Sequence, residues 1–133
     1  MLKVTVSLIA LTLSLSAFAD EVFDKKVKAA MKTESRPATD IARDKNRKPV
    51  ETLAFLGMKD DMTVVELLPG AGWYTRLLAP VLKDNGKYYG AIGTTRIEKN
   101  LQGKKGFEGA IEIIAKDSKS YRPEGSRFYR LEA

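Results

Sequence analysis

The sequence predicts an α/β protein with a parallel sheet, and two apolar runs carry that prediction. "TVVELL", residues 63–68, stops at a Pro-Gly-Ala-Gly turn that leads at once into a helical pattern, and "KYYGAI", residues 87–92, follows that helix. A strand, a helix and a second strand within about thirty residues are typical of a βαβ unit, which is parallel and right-handed by default. We therefore expect a Rossmann-like partial parallel sheet of three to four strands with flanking helices, preceded by N-terminal helices.

Residues 1–19 have the pattern of a secretory signal peptide. Lys3 precedes an apolar stretch over 4–15, and Ala17-Phe18-Ala19 places small residues where a signal peptidase cuts. A short membrane anchor is the alternative, but the apolar run is short for crossing hydrocarbon. The sequence thus predicts an exported, periplasmic protein with no stable membrane span after cleavage.

The composition excludes several kinds of site. The chain contains no cysteine and no histidine, which removes disulfides, thiolate nucleophiles, cysteine-based metal sites and the commonest general base. No metal site is expected. The formal net charge is +6, but acidic residues are scattered among the basic ones and no aromatic residues are interleaved on a basic strand. We therefore expect no nucleic acid partner.

Residues 20–48 are expected to form an N-terminal helical extension. Phe23, Val27, Ala30 and Met31 fall at helical spacing among lysines. This amphipathic helix could pack its narrow apolar face on the domain or contact a membrane surface. The polar stretch after it, around residues 40–48, offers little to bury.

Residues 49–133 are expected to form the sheet domain. Pro49 suits the first position of a helix and Gly57 a left-handed position after its end, with Val50, Leu53, Ala54 and Leu56 as the apolar face of that helix. "TVVELL" is then the clearest strand, and its continuous apolar character is typical of a strand covered on both faces.

The remaining elements follow from weaker patterns. "GWYTRLLAPVL" reads as a helix that Pro80 must kink or shorten, and "KDNGK" as a turn before the second strand. "AIEIIAKD" predicts a third strand, and "SRFYRLEA" a fourth after the turn "YRPEGS". Residues 93–109 are polar and glycine-rich and give no clear element.

The turn after the first strand can hold a ligand. Glycine lets the backbone approach a ligand closely and adopt positive φ, and the amides that open the next helix attract polar or anionic groups. Glu66, inside the strand, can orient the loop from below. On spacing alone, a tight strand-to-helix corner explains Gly70 and Gly72 equally well.

"VVELLPGAGWYTRLLAP" resembles motif I of class I S-adenosylmethionine-dependent methyltransferases, whose usual form is acid-x-Gly-x-Gly-x-Gly. It is closer to an "E-x-x-P-G-G-G-W-Y-T" version found in a group of exported predicted methyltransferases. The similarity extends from Arg43 to Ala91 and includes the Arg-Lys-Pro entry to the helix before the first strand. It covers the N-terminal half of the family fold only.

The resemblance implies a small-molecule ligand, S-adenosylmethionine, and a methyl transfer to an unknown acceptor. The six residues that it assigns to cofactor binding are Glu66, Pro69, Gly70, Ala71 and Gly72, at the methionine and ribose end, and Trp73. Trp73 and Tyr74 would start the helix beneath the cofactor. Ordinary packing is the alternative for these two aromatic residues. No residue is assigned a catalytic role.

The sequence also departs from the family pattern. Leu68 stands where the first glycine is usual, and Gly93, Thr94 and Thr95 follow the second strand where an acid usually accepts hydrogen bonds from the ribose. Glu98 comes several residues late. The alternative function is therefore a non-catalytic exported module that binds a ligand or a partner. A half-sheet would also leave an uncovered edge through which copies of the chain could associate.

Overall fold

The computed structural model describes residues 21–115. The predicted signal peptide, the turn "YRPEGS" and the fourth strand "SRFYRLEA" lie outside this range. Over these residues the protein has an α/β fold with five helices and a three-stranded parallel sheet, consistent with a partial Rossmann-like fold.

The described elements alternate between helices and strands once the N-terminal helices are complete. Helix α1 covers residues 21–30. The other elements, in chain order, are α2 (Ala38–Arg47), α3 (Pro49–Phe55), β1 (Thr63–Leu67), α4 (Thr75–Leu82), β2 (Lys87–Ala91), α5 (Thr95–Asn100) and β3 (Glu112–Ala115).

The sheet has the order β1-β2-β3, and both pairings are parallel. Val65 pairs with Tyr89 and Leu67 with Ala91, so β1 and β2 end together. The carboxyl ends of all three strands therefore meet at one edge, which is where ligands bind in open α/β sheets.

Helix α1 packs its apolar side into the core, as one of the two readings of its sequence predicted. Phe23, Val27 and Ala30 are buried in the same hydrophobic cluster as Leu77 and Leu82 of α4. This burial commits the apolar side of α1 to the domain and leaves its lysines at the surface.

Helix α3 begins and ends where the sequence predicted. Pro49 is its first residue, and Gly57 follows its end with φ of 66°. The amide of Gly57 donates to Ala54 and that of Met58 to Leu53, at 2.9 and 3.0 Å. These two bonds form a Schellman motif, which needs the left-handed residue that glycine provides.

Two of the four residues predicted to form the apolar side of α3 are exposed, so the prediction is wrong for them. Leu53 is buried and Val50 partly so, but Ala54 is exposed and Leu56 is 65% exposed. The neighbouring Phe55 is 90% exposed. Only one narrow stripe of this helix therefore contacts the core.

The expectation that β1 is covered on both faces is also wrong. Val64 and Glu66 point to the side that packs against the helices, whereas Val65 and Leu67 are 47% and 63% exposed. Within residues 21–115 the core lies on one face of β1, so its continuous apolar run does not reflect burial on both sides.

Two further elements differ from the sequence prediction. Helix α4 begins at Thr75, so Trp73 lies in the turn before it, and the helix continues through Pro80 to Leu82. Residues 95–100, which gave no clear pattern, form α5. This helix packs on β2, where the added Cβ of an alanine at Gly90 would lie 2.8 Å from Ile97.

Within residues 21–115, no helix combines the length and the apolar character needed to cross a bilayer.

Candidate functional site

The loop that follows β1 is built from left-handed backbone. Leu68, Gly70 and Gly72 have φ of 55°, 57° and 88°. The amide of Leu68 donates to Ala91 at the end of β2, and the amide of Gly72 closes a turn onto Pro69, at 3.0 and 2.9 Å. Leu68 thus adopts a conformation that glycine favours, at the position where the motif that this loop resembles has its first glycine.

A left-handed residue also follows β2. Ile92 has φ of 60°, and its amide donates to Ala115 of β3. A β-branched residue rarely adopts this conformation, and such strain tends to cluster at ligand sites. Of the three non-glycine residues with positive φ in residues 21–115, Leu68 and Ile92 therefore lie at the carboxyl edge of the sheet, and Lys48 lies between α2 and α3.

An open cleft of about 370 Å³ lies over this loop. Its volume falls within the range of small-molecule sites, about 300–1,000 Å³. The walls combine loop backbone with charged and aromatic side chains. They are formed by residues 67–71 and by Arg43, Arg47, Glu66, Trp73 and Tyr74.

The structure brings five of the six residues predicted to bind a cofactor to this cleft: Glu66, Pro69, Gly70, Ala71 and Trp73. Gly72 lies behind the loop. An added Cβ there would be 2.8 Å from Leu101 and 2.9 Å from Ile97. Gly72 is therefore needed so that the loop can pack on α5, whereas the nearest atom to an added Cβ at Gly70 is the carbonyl oxygen of Leu68, at 3.9 Å.

Glu66 anchors the strand side of the cleft. Its Oε2 accepts hydrogen bonds from the hydroxyl groups of Thr75, at 2.8 Å, and Tyr88, at 2.5 Å. The same two hydroxyls lie 2.9 Å apart. Glu66 thus ties β1 to the first residue of α4, just after the loop, and to β2. Neither bond reaches the loop itself, which the sequence predicted that Glu66 would orient.

Burial is the largest influence on the pKa values of Glu66 and Tyr88. It raises the pKa of Glu66 above its ordinary value, against the two hydroxyl donors and the nearby charge of Arg47. Burial, followed by the charge of Glu66, also raises the pKa of Tyr88 far above its ordinary range. The hydroxyl of Tyr88 therefore stays protonated and donates a hydrogen bond to Glu66.

Trp73 is mainly a packing residue, as one reading of the sequence held. It is buried, its indole N–H donates to the carbonyl of Asp40 at 2.9 Å, and Tyr74 meets it edge-on at 4.6 Å. The guanidinium of Arg47 lies 4.6 Å from the centre of its ring. Trp73 thus connects α2 to the loop and supports an arginine at the cleft.

Arg76 holds the loop against α2. It donates to the carbonyl of Ala71 at 2.6 Å, to the carboxylate of Asp40 at 3.2 Å and to the carbonyl of Ser35 at 3.1 Å. The guanidinium is buried, so these bonds satisfy a charge that water does not reach. The sequence gave no signal for this role, because the partners lie up to 41 positions away.

The arginines of α2 were also not predicted as site residues. Arg43 and Arg47 lie one turn apart on the same side of this helix, and both line the cleft. Only the crowding of charge around residues 40–48 hinted at them, and that crowding is equally typical of a solvated helix.

Helix α5 brings an acid back to the end of β2. Thr94 is fully buried, and its hydroxyl donates to Oε1 of Glu98 at 2.5 Å. Glu98 comes several residues after β2 in the sequence, but the first turn of α5 returns its carboxylate to Thr94, near the end of this strand. Thr94, whose hydroxyl is committed to this bond, is not exposed to a ligand.

Comparisons with protein-family models, with curated proteins and with solved structures found no match to this chain.

Proposed function

We propose that the protein binds S-adenosylmethionine in the cleft over the loop after β1 and transfers its methyl group to an acceptor. The observation that carries this proposal is the loop itself. Gly70, Ala71 and the strained Leu68 wall a cleft at the carboxyl edge of a parallel sheet, which is where nucleotide-like ligands bind in α/β folds. The motif I resemblance of the same residues supports the choice of ligand.

The cleft suits methyl transfer in chemical terms. The reaction displaces a thioether from a methyl group, so it depends on aligning donor and acceptor more than on acid–base groups. The absence of histidine from the chain is compatible with such chemistry. The residues of the cleft would bind and orient the donor, and none is assigned a proton-transfer step.

Glu98 is proposed for the ribose of the same ligand. Its carboxylate lies beside Thr94, three residues after β2 ends, and a carboxylate after this strand is the usual acceptor for ribose hydroxyls in α/β dinucleotide sites. The resemblance places an acid nearer to the strand, and α5 supplies one from its first turn.

Titration calorimetry with S-adenosylmethionine and S-adenosylhomocysteine tests the proposal. We expect micromolar binding that Gly70→Val abolishes, because valine does not tolerate the positive φ of this position. Gly103→Val is the matched control: Gly103 also has positive φ, at 70°, with nothing near its added Cβ, and it lies outside the cleft. A folded wild type that binds neither ligand would contradict the proposal.

A non-catalytic exported module is the second candidate. It is favoured by the open face of β1, since within residues 21–115 no second layer adjoins the cleft to enclose a methyl acceptor. Cofactor binding without methyl transfer to any acceptor in a broad panel would support this candidate, and turnover would exclude it.

A further inference from the structure

We infer that Arg43 and Arg47 form a carboxylate-binding subsite at the rim of the cleft, which selects ligands that carry the amino-acid end of S-adenosylmethionine. This inference rests on the proposed function and adds the group that the two arginines recognise. Four arginines surround the loop, and they differ in how they use their hydrogen-bond donors.

Two of these arginines are committed to the fold. Arg36 makes a two-pronged pair with Asp44, at 2.6 and 2.7 Å, and Arg76 binds Asp40 and two carbonyls. Their removal would leave buried partners without a bond, so they hold the structure together.

The other two are not committed. Within residues 21–115, the guanidinium of neither Arg43 nor Arg47 takes part in a hydrogen bond or an ion pair. Both line the cleft beside the loop. A guanidinium carries five N–H donors in a fixed fork that matches a carboxylate. The rim of the cleft therefore carries positively charged donors that make no hydrogen bond within residues 21–115.

Arg47 is also held in place. Its guanidinium lies 4.6 Å from the ring centre of Trp73 and 5.6 Å from that of Tyr74. Stacking on two rings restricts a side chain that would otherwise lose much rotamer freedom on binding. Arg47 is therefore preorganised, and Arg43, one turn earlier and exposed, can close on the ligand from the solvent side.

The acidic residue of the cleft defines the ligand further. Glu66 lines the same cleft, yet it forms no ion pair with Arg47 or Arg43 in the described part of the chain. Both of its hydrogen bonds reach Oε2. A cleft that is lined by two guanidinium groups and by a carboxylate that forms no ion pair with them is complementary to a zwitterion, whose carboxylate would meet the arginines and whose ammonium would meet Glu66.

The test compares two ligands that differ in the amino-acid end. S-adenosylhomocysteine carries the zwitterion, whereas 5′-methylthioadenosine keeps the adenosine and the thioether and lacks it. We expect the wild type to bind S-adenosylhomocysteine more tightly, and Arg43→Gln and Arg47→Gln each to weaken that ligand by about tenfold to a hundredfold, the effect of losing a charge-assisted hydrogen bond. The affinity for 5′-methylthioadenosine should stay unchanged.

Lys45→Gln is the matched control, because it removes the same charge from the same helix at an exposed position outside the cleft. Arg43→Gln guards against misfolding, since Arg43 is exposed and its side chain has no hydrogen-bond partner among residues 21–115. Equal weakening of both ligands by the arginine variants, or none, would overturn the subsite and leave the proposed function standing. A folded wild type that binds neither ligand would overturn both.

Discussion

Glu66 shows how one residue serves both the fold and the site. Its carboxylate receives two hydroxyl donors from Thr75 and Tyr88 and lies in the wall of the cleft. Burial raises its pKa despite those donors, so the folded chain holds the Glu66 proton more tightly than the unfolded chain does. The stability of the protein must then depend on pH through this residue.

We expect the Glu66 contribution to favour the fold at low pH. It is fully present below the ordinary glutamate pKa and is lost as the pH rises through the higher pKa of the folded state. Glu66→Gln keeps an oxygen acceptor for both hydroxyls and removes the titration. The free energy of unfolding of the wild type, minus that of the variant, should therefore fall as the pH increases.

Urea unfolding from about pH 4 to about pH 8 measures this difference. The same substitution at Glu112, which is exposed in β3, is the control and should give a smaller pH dependence. A difference that rises with pH would show that the hydroxyl donors and Arg47 outweigh burial, and would contradict the account of the cluster.

At the scale of elements, helix α3 separates its apolar residues into two classes. Leu53 is 2% exposed and belongs to the core cluster, whereas Leu56 lies at the surface. The two leucines are three positions apart, on the last turn of the helix and at its cap, so the same substitution can be compared in nearly the same backbone.

We expect Leu53→Ala to lower the free energy of unfolding by about 2–5 kcal/mol, because it removes buried contacts and leaves a cavity. Leu56→Ala should change it by less than about 0.5 kcal/mol, as is usual for surface substitutions. Urea unfolding of both variants gives the comparison. Similar losses at the two positions would mean that the outer side of α3 is covered in solution.

The sequence predicted the elements that have strong local signals. The apolar runs marked β1, β2 and β3, and Pro49 with Gly57 marked the ends of α3. Helix α5 was missed because its six residues are mostly polar and Ile97 is its one buried side chain.

The sequence placed residues 20–48 in a helical extension but did not mark helix α2 within it. Its sequence offers little to bury, and its ties to the fold are polar and ring contacts with Arg36, Trp73 and Arg76, which lie outside the helix. No local pattern reports such contacts.

The candidate site likewise contains residues that the sequence could predict and residues that it could not. The loop residues Pro69, Gly70 and Ala71 could be predicted because one continuous motif contains them. Arg47 and Arg76 could not, because their roles arise from the packing of α2 on the loop.

At the scale of the whole molecule, β1 stands at the edge of the described sheet with one apolar face open. Val65, Leu67 and Leu68 are all exposed, and β1 pairs only with β2 in residues 21–115. An exposed apolar edge strand favours pairing with another chain.

We therefore expect self-association that increases with protein concentration and weakens in a Leu67→Lys variant, because a lysine on an edge strand opposes pairing. Sedimentation velocity over a range of concentrations measures it. Lys87→Arg, a conservative change on the neighbouring strand, is the control. A wild type that stays monomeric at every concentration would contradict this prediction.

The central claim is that the loop after β1 is a cofactor site. Titration of the ¹⁵N-labelled protein with S-adenosylhomocysteine, followed through the amide resonances in NMR spectra, tests it most directly. We predict that the resonances of Gly70, Ala71 and Gly72 shift in a saturable manner while those of Gly103 and Gly106 stay in place. A folded protein whose loop resonances do not move, at ligand concentrations well into the millimolar range, would contradict the claim.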